Sequence, residues 1–182
     1  MSRPLLIASA LTLLAACGSA PQAMPAKPPK PESPPVPPVA LLVAPGAIGP
    51  ATTTTPFDLS ALRRLFPGSD VRAGTVSEEG VDMPVLFVRG PGDITIEFHG
   101  GDDGTLDRAF VTGAAPRGLR GEAIGLRLSA SGLPRGGCIA GADRLGDAII
   151  CRRPDAPQLG LVFAPADAVD PVLREFYWTA DS

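Results

Sequence analysis

GCIAGADRLGDAIIC, Gly137 to Cys151, places two short apolar runs on either side of a glycine- and aspartate-containing connection, with a cysteine on each arm. Apolar runs bounded by turn residues read as strands, so the stretch is expected to be a hairpin with two facing thiols. Downstream, Leu161–Phe163 and Arg174–Trp178 have the same short apolar or aromatic character. Alternation along the last of these sends Phe176 and Trp178 to one face, as core anchors, and Tyr177 to the other. Upstream, Val71–Val76, Pro84–Arg89, Ile94–Phe98 and Arg108–Thr112 are each bounded by Gly, Pro or acidic turns such as Gly90-Pro91-Gly92-Asp93. The chain is therefore expected to be built mainly from short antiparallel strands.

Helical periodicity occurs once with clarity. Leu59, Leu62, Leu65 and Phe66 recur at helical spacing, Pro67-Gly68 stops the run, and Thr55-Pro56-Phe57-Asp58 suggests a capping box with Thr55 as the cap. A weaker helical pattern covers Leu126–Leu133. With it, the order of one helix followed by four strands begins again after Gly113. The expected fold class is α+β, mainly antiparallel sheet with short helices, in two tandem helix-plus-four-strand halves, 39–113 and 114–182.

The first residues bear on location. MSRPLLIASALTLLAAC sets a basic Arg3 before an apolar run too short to remain as a membrane span, closing in Leu14-Ala15-Ala16-Cys17. This resembles the bacterial lipobox, which implies that residues 1–16 are a signal peptide and that Cys17 carries acyl chains holding the mature chain to a bilayer. Gly18, rather than Asp, follows the cysteine, which by analogy with lipoprotein sorting favours the outer membrane, periplasm-facing. Residues 17–38 are proline-rich and read as an extended tether, and the globular domain spans 39–182. The apolar island Val39–Val43 is expected to dock on that domain as a strand, because a free apolar strand invites aggregation. In an exported chain the two remaining cysteines, Cys138 and Cys151, are expected to form a disulfide. Bridging a loop of about 14 residues is worth roughly 3 kcal/mol on the chain-entropy estimate.

The stretches GAIGPATTTTPFDLSALRRLFPGSDV (46–71), SEEGVDMPVLFV (77–88) and GEAIGLRLS (121–129), with the cysteine pair and a last strand ending in Trp178, resemble an uncharacterised bacterial lipoprotein family. That family is a domain of unknown function and includes envelope-stress, sigma-E regulated lipoproteins. The resemblance implies an envelope location; the apparent duplication also looks like tandem beta-lactamase-inhibitor-like repeats. The chain departs from the family in its long proline tether and in the Gly/Pro-rich stretch 129–137.

Chemistry is sparse. Formal net charge is −3 and the isoelectric point about 5.1, which argues against nucleic acid as a partner. His99 is the single histidine, at a strand end beside Gly100-Gly101, where a solvated turn residue is expected. Gly101-Asp102-Asp103-Gly104-Thr105-Leu106-Asp107 has carboxylates in a glycine-rich turn, but its spacing fits neither an EF-hand nor a nonapeptide calcium repeat, and a hairpin turn explains it. No serine elbow or phosphate-cradling glycine loop is present. The expectation is a non-enzymatic envelope lipoprotein without cofactor or metal. Its partners are the bilayer, through Cys17, and an envelope protein, and its candidate binding surface is Tyr177, Glu97, Asp102 and Asp103. The alternative is an envelope hydrolase built on carboxylates such as Glu97, Asp102 and Asp107.

Overall fold

The computed structural model describes residues 40–180. The expected signal peptide, Cys17, the expected tether to residue 38 and Val39 of the apolar island lie outside the described residues.

Period-two alternation of apolar side chains dominates the described chain. Three two-residue strands come first: β1 (Val43–Ala44), β2 (Ala47–Ile48) and β3 (Ala51–Thr52). They lead into α1 (Leu59–Leu65), the one α-helix among the described residues. The first meander is β4 (Asp70–Glu78), β5 (Val81–Gly90), β6 (Ile94–Gly100) and β7 (Leu106–Thr112). The second is β8 (Cys138–Ala140), β9 (Ile149–Arg153), β10 (Ala156–Ala164) and β11 (Val172–Thr179). They join edge to edge into one eight-stranded sheet, in the order β4-β5-β6-β7-β11-β10-β9-β8. All neighbours in it are antiparallel. The α+β class and the dominance of antiparallel strands are as the sequence indicates.

One face of this sheet carries the main core. A cross-strand row runs Val71, Val88, Ile96, Val111, Phe176, Leu161, Cys151, Cys138, each opposite the next. The neighbouring row supplies Phe98, Ala109 and Trp178, and α1 lays Leu62 over it while Phe66 meets Phe98 at 6.1 Å between ring centroids. The alternation assigned to the last strand holds: Phe176 and Trp178 are fully buried on this face, and Tyr177 points to the other.

The described part of the apolar island, residues 40–43, docks. Arg117 N donates to Leu41 O and Val43 N donates to Arg117 O, both at 2.8 Å, and Val43 is fully buried. Docking satisfies backbone groups and removes a free apolar strand in one step.

Two helix expectations are corrected. The cap of α1 is Asp58, not Thr55: its extended backbone lets the carboxylate accept from Ala61 N at 2.8 Å. Thr55 is buried instead, and its hydroxyl accepts from Thr52 N. The second helix is absent from Leu126–Leu133, where only a 3-10 turn forms at Leu128–Ala130. Gly132 with positive φ and Pro134 end the run before a full α-turn repeats. With no helix there, and β8 three residues long against nine in β4, the tandem helix-plus-four-strand repeat is not confirmed.

Candidate functional site

Cys138 and Cys151 stand directly opposite each other on β8 and β9 and form the disulfide. The bridge closes the segment 139–150, whose middle part returns over the sheet face opposite α1. Internal hydrogen bonds shape that part: Gly141 N to Ala148 O, Leu145 N to Ala142 O and Ala148 N to Leu145 O. Gly141 is needed for the close approach, since a Cβ there would lie 2.1 Å from Leu145 O. Leu145 then packs with Phe110, Ala148, Ile150 and Val162 into a second, smaller core, its side chain contributing about 2 kcal/mol of burial.

Beneath this lid the alternation of β6, β7 and β11 delivers polar groups to the same face: Glu97 and His99, Arg108, and Glu175. His99 is buried, 3% exposed, not the solvated turn residue the sequence suggests. β6 continues past it to Gly100, so His99 lies inside the strand and only Gly101 beyond it. Arg108, which can only donate, lies 3.3 Å from His99 Nδ1, so that nitrogen accepts and Nε2–H donates to Glu97 Oε1 at 2.8 Å. Arg108 also donates to Glu78 Oε2 at 2.7 Å. From the lid, Arg144 donates to Glu97 Oε1 at 2.7 Å and to Glu175 Oε2 at 3.0 Å, and its guanidinium lies 3.8 Å from the Phe110 ring centroid. Arg174, at the bulge of β11, extends the chain of charges to Asp147.

Burial by itself would raise the Glu97 pKa. The His99 hydrogen bond and the Arg144 charge outweigh it and hold the carboxyl below its ordinary value. Both imidazole nitrogens are engaged, and the hydrogen-bond partners of His99 are a carboxylate and a guanidinium. Through Arg144 the cluster ties the lid to the sheet.

Of the four residues expected to form a binding surface, Glu97 and Tyr177 share this face, flanking Phe110 in one cross-strand row. Phe110 and Tyr177 stack at 5.0 Å, and the Arg152 guanidinium lies 5.6 Å from the Tyr177 ring centroid. Glu97 is buried in ion pairs and so does not contribute to an open surface. Asp102 and Asp103 lie elsewhere, in the β6–β7 turn, lining a depression of about 690 Å³ with Asp107. Asp103 accepts from the backbone N–H and hydroxyl of Thr105, which holds its pKa down. The hydrolase carboxylates are thus divided, Asp102 and Asp107 around one depression and Glu97 under the lid. Among the described residues no group of three or more His, Cys, Asp or Glu is placed to hold a metal ion.

The sequence alone does not single out Glu78, Arg108, Arg144 and Glu175. Their only local signal is position: Arg144 in the middle of the disulfide loop, the others on the polar phase of apolar strands.

The crystal structure of the uncharacterized protein YfeY from Escherichia coli is similar to this chain. Its TM-score is 0.61 at 19% identity, over 75% of this chain and 98% of that one. At that identity the likeness is one of fold. No protein-family model and no curated protein matches the chain.

Proposed function

We propose that this chain is a lipid-anchored bacterial envelope protein that acts by binding a protein partner, not by catalysis. The anchor rests on the Leu14-Ala15-Ala16-Cys17 sequence, and the disulfide suits an oxidising compartment. The observation that carries the binding role is the face opposite α1. Its charged groups are paired with one another under the lid, while Phe87, Tyr177 and Arg152 stay partly exposed along one cross-strand row. Aromatic and arginine side chains on a rigid sheet are the residue types that dominate protein interfaces. The cleft beside them, lined by Phe110, Arg144 and Tyr177, is about 140 Å³, too small for a drug-sized substrate.

Two measurements test the proposal. Labelled palmitate enters the wild-type chain and is lost in Cys17→Ser; retention of label in that variant contradicts the anchor. Tyr177→Ala with Arg152→Ala abolishes partner crosslinking in intact envelopes without lowering expression; unchanged crosslinking removes this face from the proposal.

A further inference from the structure

The two edges of the sheet differ. β8 is a three-residue edge, whereas β4 is a nine-residue edge. Between β4 and β5 the chain turns through Glu79 and Gly80 alone, both at positive φ (51° and 79°). That is a two-residue primed turn, in which the flanking pair Glu78–Val81 is hydrogen-bonded. Hydrogen-bonded and non-hydrogen-bonded pairs alternate from there, so Val71, Ala73, Thr75 and Ser77 aim their N–H and C=O away from β5. The Val71 carbonyl obeys this rule and accepts from Arg63 at 3.3 Å, which guards that end of the edge. Ala73, Thr75 and Ser77 are small, exposed and bear no proline or lysine that would guard them.

From this we infer that β4 is a dimerisation edge on which a second copy of the chain pairs antiparallel about a two-fold axis at Thr75, a property separate from the proposed anchor and partner face. Charge selects the occupant and the register. Pairing Thr75 with its own copy sets Ala73 opposite Ser77 of the other chain through outward-facing groups. The same register sets Arg72 opposite Glu78 of the other chain, twice by symmetry. Moving the axis to Gly74 would set Asp70 against Glu78, which repel. Arg72 is placed to take this role: its side chain is 67% exposed and, among the described residues, it pairs with the neighbouring Asp70 alone. Glu78 already receives Arg108, and a second guanidinium completes a carboxylate that can accept two. Self-complementarity of one patch is what a two-fold interface requires.

The test uses the detergent-solubilised full chain. Sedimentation is expected to show a monomer–dimer equilibrium, weakened about tenfold by Arg72→Glu, which turns two opposite-charge pairs into like-charge pairs. Under mild oxidation Thr75→Cys is expected to crosslink to its own copy, since Cα atoms of a hydrogen-bonded pair lie at about 5.5 Å, within disulfide reach. Ser77→Cys alone is not expected to do so. The inference is overturned if the chain is monomeric over the whole concentration range, if Arg72→Glu leaves the dimer unchanged, or if Ser77→Cys crosslinks as well as Thr75→Cys.

Discussion

Arg144 is the side chain on which the lid depends. It bridges two buried carboxylates from different strands, Glu97 and Glu175, and covers Phe110. Arg144→Ala is expected to cost about 2 kcal/mol in chemical denaturation; this is below the cost of breaking a fully buried pair because Arg144 is about a third exposed, 36%. A loss within about 0.5 kcal/mol, on the order of a surface substitution, would show that the lid is held without Arg144. The same cluster sets an acid limit. Glu97 has a folded-state pKa below its ordinary value of 4.5, so the folded state binds fewer protons than the unfolded one. Its contribution is complete above that value and is lost as pH falls through the lower folded-state value. Denaturation midpoints measured from pH 6 downward should decline below about 4.5, less steeply in Glu97→Gln than in wild type. Glu122, buried against Arg153 and likewise lowered despite its burial, adds to the decline and sets what remains in the Gln variant.

Elements are legible where they rest on local periodicity. All four strands of the first meander come from alternation and turn residues, and α1 from its leucine spacing. The departures lie at choices that local sequence leaves open. Thr55 and Asp58 are both cap types, but the Thr55 hydroxyl is taken by Thr52 N and the cap falls to Asp58. Leu126–Leu133 has helical spacing, but glycine and proline limit it to one 3-10 turn. His99 reads as solvated from its glycine neighbours, yet β6 continues past it. The Glu78–Arg108–His99–Glu97–Arg144–Glu175 cluster is illegible for a different reason: it joins residues far apart in the chain, and no local pattern encodes pairing across strands. Glu97 and His99 stand out singly in the sequence, but their pairing does not; what is legible of the lid itself is the cysteine pair that closes it. The disulfide ties the short edge strand β8 and the lid to β9, so Cys138→Ser should lose about 3 kcal/mol and show a lower melting temperature. An unchanged melting temperature would mean that the second small core suffices to hold the lid.

At the scale of the molecule, one sheet separates two kinds of chemistry. The α1 side is apolar and supplies stability, with Trp178, Phe98, Phe163 and Phe176 among its largest fully buried side chains. The opposite side is part lid and part open row, where Tyr177 and Arg152 meet solvent. In the proposed arrangement, with the domain held at a membrane through Cys17, that row is a rigid face offered to partners within reach of the tether. The most direct test is site-specific photo-crosslinking in living bacteria from position 177, compared with position 169. Val169 is 98% exposed in the loop before β11 and serves as a control for mere accessibility. The expected result is a discrete protein adduct from position 177 that is absent from 169 and lost in Cys17→Ser. Equal labelling from both positions, or an adduct indifferent to Cys17, would contradict a partner-binding face on an anchored domain.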